Sequence, residues 1–310
     1  MAWTRRDFVK ASALAVPAAA VSSPARAQQG SAPGAPAAPP PAPAVFTPLR
    51  RDVGIFHQRG GTIGWLINRD GLLVVDSQFA DTAPDLLSGL KERSPRTIDV
   101  LINTHHHPDH TGGNGVLRPA AKQIVAHARS KENQIAQGER MKTTQTLPDV
   151  TFTDTWSVTL GDETVRARHW GPAHTGGDAS IHFEQANVVH LGDLLNNRGY
   201  PNVDAPAGAS VHGWVRVLEQ MAAAYPADAL YVYGHAEAGH PFIGTRADLL
   251  YQRDYFTAVI DYAARARKQG RSREALAKVD VLPGFEHFGG QKPRLGLALG
   301  IAHDELATMG

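Results

Sequence analysis

Between residues 104 and 110 the chain reads Thr104-His105-His106-His107-Pro108-Asp109-His110, an H-x-H-x-D-H pattern with four metal-binding side chains within six residues. In an extended loop, side chains two apart point the same way. His105 and His107 can therefore close on one ion, while Asp109 and His110, further round the turn, face a second. The flanks say where such a loop must sit. Ile98-Asp99-Val100-Leu101-Ile102-Asn103 is a short β-branched and apolar run that reads as a buried strand, and Gly112-Gly113-Asn114-Gly115 follows the pattern directly. The motif thus caps the C-terminal end of a strand, and the fold must bring further donors to that end.

Three later positions supply them. His174 lies in Gly171-Pro172-Ala173-His174-Thr175-Gly176-Gly177-Asp178, Asp193 in Val188-Val189-His190-Leu191-Gly192-Asp193, and His235 in Leu230-Tyr231-Val232-Tyr233-Gly234-His235. Each follows an apolar strand-like run or sits in a Gly-rich turn. With these residues in this order, the chain resembles the metallo-β-lactamase-fold hydrolase superfamily over roughly residues 50 to 250. The resemblance implies an α+β fold: an αββα sandwich of two mixed β-sheets packed between helices. It also implies that His105, His107 and His174 hold a first metal, that Asp109, His110 and His235 hold a second, and that Asp193 bridges them. Imidazoles and carboxylates suit two zinc ions, and iron or manganese accepts the same set. Asp109 is expected to orient the attacking hydroxide between the ions and then carry a proton to the leaving group.

The rest of the chain supports a globular enzyme. Gly61–Ile67 and Gly71–Asp76 read as a hairpin turning at Asn68-Arg69-Asp70-Gly71, and 83–93 reads as a helix with Pro84 in its first turn. Strands are expected at 98–103, 122–126, 151–160, 163–169, 179–184, 187–191 and 229–233. Helices are expected after the metal loop, at 211–224 and at 246–268. An apolar fraction of 42% supplies one substantial core. Lys+Arg 31 against Asp+Glu 30 exerts no bulk pull toward nucleic acid, so a small-molecule substrate is expected. With Cys 0, disulfides, thiolate ligands and a cysteine nucleophile are excluded.

Both ends stand apart from this body. Thr4-Arg5-Arg6-Asp7-Phe8-Val9-Lys10, the small apolar run from Ala11 to Val21, and Ala25-Arg26-Ala27 look like a twin-arginine export signal cleaved after Ala27. Periplasmic delivery is expected, with no stable membrane span after cleavage. Residues 28–45, dominated by Ala, Pro, Gly and Gln, read as a disordered tether, and 46–310 as the catalytic domain. Beyond Gly270 no chemical motif occurs, and Phe285–Gly290 and Leu295–Leu299 read as packing or an oligomer contact; the sequence sets no oligomeric state.

Several other residues have expected supporting roles. Asp76 ends a strand and is expected to hydrogen-bond the metal loop. His106 and His190 are expected to pack, Asp178 to stabilise its turn, and Tyr200, Trp214, Tyr231 and Tyr233 to fill the core. His240 is a minor candidate for substrate contact. Pocket walls are expected from 54–64, 136–150 and 196–212, with Asn196 to Ser210 as an irregular lid. A bridging Asp193, where metallo-β-lactamases proper carry Cys or Ser, points to an ester, thioester or lactone, as in the glyoxalase-II-like and lactonase-like branch. A periplasmic address keeps β-lactams in play. A one-iron persulfide dioxygenase needs only two His and one Asp, and a non-catalytic metal-binding protein is expected to lack some donors. Phosphodiester cleavage stays open, since two metals also serve in-line displacement.

Overall fold

A computed structural model describes residues 42–309. The export signal at 1–27 and the tether up to residue 41 lie outside the described residues. Seven strands lie side by side in chain order in the first sheet: Val45–Arg50 (β1), Val53–His57 (β2), Ile63–Ile67 (β3), Leu72–Val75 (β4), Val100–Asn103 (β5), Ile124–His127 (β6) and Val150–Phe152 (β7). The second sheet contains Thr155–Leu160 (β8), Glu163–Arg168 (β9), Ser180–Phe183 (β10), Val188–His190 (β11), Leu230–Val232 (β13) and Ile243–Gly244 (β15), in the order β15-β13-β11-β10-β9-β8. Asn196–Asn197 (β12) and His235–Ala236 (β14) form a short parallel pair of their own.

Residue alternation builds four layers. Along β4, Leu73 and Val75 enter the core between the sheets, where they meet Val165, Ile181, Phe183 and Val188 of the second sheet. Their neighbours Leu72 and Val74 face outward onto Leu86 and Leu90 of the helix Ala83–Arg93 (α1). A strand buried on both faces has no polar positions, which is why β4 reads Leu-Leu-Val-Val without alternation. On the far side, Val189, Tyr231 and Tyr233 pack beneath Trp214, Phe256 and Leu299. The first two of these come from the helices Val211–Ala224 and Arg246–Lys268, and the third from Pro293–Thr308. The αββα arrangement of an α+β sandwich is therefore what the chain adopts. The tail beyond Gly270 adds its last helix to this outer layer, so it packs.

Some boundaries differ from expectation. The strand expected at 151–160 is two strands in different sheets, because the chain crosses the sandwich at Thr153-Asp154. Much of 54–64 is strand, leaving only the turn between β2 and β3 to face the site. Residues 128–141 form a helix capped by His127, so the wall expected at 136–150 is loop only in its second half. No described helix is long and apolar enough to cross a membrane.

Candidate metal centre

The motif folds into two conformations, and that division sorts its side chains. His107 is extended (φ −63°, ψ 149°) because a residue before proline is disfavoured in the helical region. Pro108 then opens the one-turn helix Pro108–Thr111, a position that needs no amide donor. His107 thus projects from extended backbone and His105 from the bend just before it, whereas Asp109 and His110 project from the helical turn. This turn lies inside the motif, and the helical stretch expected after it follows at Asn114–Leu117.

Two donor groups result. In the first, His107 Nδ1 lies 3.1 Å from His105 Nε2 and 3.0 Å from His174 Nε2. In the second, His235 Nε2 lies 3.0 Å from Asp109 Oδ2 and 3.4 Å from His110 Nε2. Asp193 stands between them: Oδ1 is 3.1 Å from His110 Nε2 and 3.2 Å from His235 Nε2, while Oδ2 is 3.6 Å from His174 Nε2. All seven residues singled out in the sequence are thus brought together from the C-terminal ends of strands and the loops beyond them. The geometry groups His105, His107, His174 and Asp193 as one candidate metal site, and Asp109, His110 and His235 as another.

The donor chemistry fits cations. The outer nitrogen of His174 donates from Nδ1 to the carbonyl of Asn202 at 2.8 Å, so its Nε2 presents a lone pair to the cluster. Three imidazole nitrogens converging at about 3 Å cannot satisfy one another by hydrogen bonding. Asp193 Oδ1 is buried and makes a well-formed hydrogen bond with none of its neighbours. A metal ion in each group would satisfy all of these atoms at once.

Electrostatics separate the two groups. Burial, reinforced by neighbouring histidines, holds His105 well below the ordinary histidine value, and burial brings His174 down to about 4. Both offer lone pairs at neutral pH. In the second group burial also opposes charge, but carboxylates outweigh it. Asp109, Asp193 and Asp76 hold His110 well above its ordinary value, and Asp193 and Asp109 push His235 up to about 9. Against the upward push of burial, His110 and His235 bring Asp109 down to about 2. An ion entering this group must displace histidine protons.

The surrounding residues orient the donors. Asp76 accepts from the Thr104 amide and hydroxyl, each at 2.7 Å, and from His110 Nδ1 at 2.8 Å, which turns His110 Nε2 inward. His190 is fully buried and ties to the Thr62 carbonyl and the Gly192 amide, so it packs. Asp178 accepts from the amide and hydroxyl of Thr175, holding the His174 turn; its burial lifts its carboxyl to about 7. Tyr200, Trp214, Tyr231 and Tyr233 are buried, and His240 is exposed on a turn. Glycine is needed where backbones close on the site: a Cβ on Gly234 would overlap Asp193 Oδ1, and one on Gly61 would overlap the His110 ring.

One residue escaped the sequence reading. Asp204 accepts from His107 Nε2 at 2.8 Å, and its second oxygen caps the turn Ala205–Ala207. It lies in an irregular stretch with no periodicity, and nothing about its spacing marks it. His106, buried beside it, keeps Nε2 3.8 Å from the same carboxylate and has no partner for Nδ1 among the described residues.

A family model described as the metallo-beta-lactamase superfamily matches residues 58–235, a span that begins before the first glycine turn of the site and closes on its last histidine. The chain belongs to the metallo-beta-lactamase superfamily. Among curated members, it is 28% identical over 262 residues to a hydroxyacylglutathione hydrolase of Cereibacter sphaeroides, covering 80% of this chain and 93% of that one. It is 21% identical over 175 residues to a metallo-beta-lactamase type 2 of Bacteroides fragilis, covering 56% and 68%. Among solved structures, a metallo-beta-lactamase from Pontibacter korlensis aligns with TM-score 0.59 at 18% identity, covering 69% of this chain and 99% of that one. At such identity the likeness speaks for the shared fold.

Within this superfamily fold, a cavity of about 200 Å³ opens beside His235. Asn196, Tyr200 and Glu237 line it from the loops, and Gln291 and Arg294 from the tail. One Arg294 nitrogen donates to the Tyr200 carbonyl at 3.2 Å, which anchors the guanidinium at the cavity wall.

Proposed function

We propose that this chain is a hydrolase holding two metal ions, zinc by preference, and that it cleaves a small ester, thioester or lactone. The observation that carries this reading is Asp193, one buried carboxylate whose two oxygens face the two donor groups. His105, His107 and His174 would hold one ion and Asp109, His110 and His235 the other, with Asp193 shared. When bound, such a pair acidifies water toward neutral pKa and polarises a carbonyl oxygen. The protein's part is then to orient and to move a proton. Asp109, half-buried at the opening of the second group, is positioned to accept a proton from the nucleophile and return it to the leaving group. The cavity beside His235 would receive the variable part of the substrate.

The hydroxyacylglutathione hydrolase relative, matched over most of its length, supports a thioester. The β-lactamase relative supports a lactam as the second reading. Export by the twin-arginine route, inferred from Arg5-Arg6 and the apolar run after it, favours a substrate met in the periplasm. Elemental analysis of protein purified without added metal, with parallel assays on a thioester, a lactone and a chromogenic lactam, tests the proposal. Two zinc ions with turnover of the thioester or lactone is the expected result. Selective lactam turnover favours the second reading, and one iron or no turnover refutes the hydrolase.

A further inference from the structure

The two histidines of the first group that come from different loops are fastened to one short segment. His107 uses its outward nitrogen, Nε2, on Asp204 Oδ2, and His174 uses its outward nitrogen, Nδ1, on the Asn202 carbonyl. The segment answers with its own backbone, since the Asp204 amide donates to the His174 carbonyl at 3.1 Å. Further along, the Gly176 amide donates to Ala207 and the Ser210 amide to Ala173, so the segment is laced to the His174 turn. Of its own side chains, Val203 and Ala207 are buried, while Ala205 and Pro206 are exposed. Besides the packing of Val203 and Ala207 and a hydrogen bond from Asn133, the segment is held by its ties to the two histidine loops.

We infer that residues 202–209 are a latch on the first metal group: Asp204 positions His107 so that its Nδ1 faces the ion, and metal binding in turn orders the latch. The inference rests on the two-group reading above. A carboxylate on the outer nitrogen fixes the imidazole tautomer and raises the basicity of the other nitrogen, an effect that commonly amounts to about 10–100-fold in metal affinity. Because coupling is reciprocal, whatever the latch adds to affinity the ion returns to the order of the latch. Asp204 is thus a positioning residue, and it belongs to the stretch that also borders the substrate cavity at Tyr200. His106, His107 and Asp204 also fall close enough together to be grouped as a third set of donors. The direct His107–Asp204 hydrogen bond, which uses the same His107 nitrogen and Asp204 oxygen that a third ion would need, favours a latch over a third ion.

Zinc titration of the chelator-stripped full chain, in competition with a chromophoric chelator, tests this. A His235→Ala background isolates the first group. In that background, Asp204→Ala should weaken zinc binding by about 10–100-fold, and Asp204→Asn, which keeps an acceptor, should recover part of the loss. Hydrogen exchange on the unmutated chain gives an independent reading: zinc should slow the amides of 202–209 more than those of the second-group loops. Unchanged affinity in Asp204→Ala, or exchange at 202–209 indifferent to zinc, overturns the latch. So does a count of three ions that falls to two on Asp204→Ala. Failure of the unmutated chain to bind zinc overturns the two-metal reading and the latch with it, whereas two ions with unchanged Asp204→Ala affinity overturns the latch alone.

Discussion

Asp76 Oδ2 lies 2.8 Å from His110 Nδ1, with both side chains fully buried, and this one contact decides which nitrogen His110 turns toward the second donor group. Asp76 holds the contact from a left-handed backbone, φ 66°, a conformation that costs a residue with a side chain about 1–2 kcal/mol. Its three hydrogen bonds to Thr104 and His110 repay that cost locally. Replacing Asp76 by Ala should lower second-group metal affinity about 10–100-fold, with a loss of folding stability near 2–3 kcal/mol from the stranded buried donors. Metal content after graded chelation, beside denaturant unfolding, reads both effects. Retention of both ions at unmutated affinity would count against the orienting role.

Asp109→Asn should abolish most turnover while leaving the fold intact. The side chain sits at the rim of the second group and contributes nothing to either face of the sandwich core. The amide keeps the shape but cannot accept and return a proton. Circular dichroism should overlay on that of the unmutated protein, and activity close to normal would refute the assigned proton carrier.

The raised pKa of His235 has a definite sign for stability in the metal-free protein. Its folded value of about 9 exceeds the ordinary 6.5, so protonation favours the folded state. That contribution is complete below pH 6.5 and is lost as pH climbs through about 9. Metal affinity should run the opposite way across the same window, increasing as the competing proton leaves. Melting temperature of chelator-treated protein against pH, and zinc affinity against pH, should therefore slope in opposite directions. Parallel slopes would contradict the proton-displacement picture.

Arg294 faces the cavity beside His235 and makes no ion pair among the described residues. Arg294→Ala should raise KM about tenfold or more for a substrate carrying a carboxylate, with little change for a neutral analogue, since hydrogen bonds to charged groups are worth about 1.5–3 kcal/mol. Steady-state kinetics on a matched pair of thioesters would show it. Equal effects on both members would mean that Arg294 shapes the wall without reading charge.

The positions of the seven candidate donors were legible in the sequence. Spacing within 105–110 and the Gly-rich turns around His174, Asp193 and His235 mark positions where local backbone alone dictates that a side chain stands at a strand end. Proline at 108 even divides the motif into its extended and helical halves. Asp76 was legible for the same reason, as the last residue of an apolar strand. The four-layer order was legible as a resemblance, but strand partners were not, because Thr153-Asp154 looks like continuous strand until two sheets compete for its flanks. Only tertiary structure could decide that Asp204 answers His107 across 97 residues, or that a tail without a motif walls the cavity with Arg294. Such contacts join segments whose own periodicities carry no record of each other, since a hydrogen bond across the fold depends on the closure of loops and not on any local pattern.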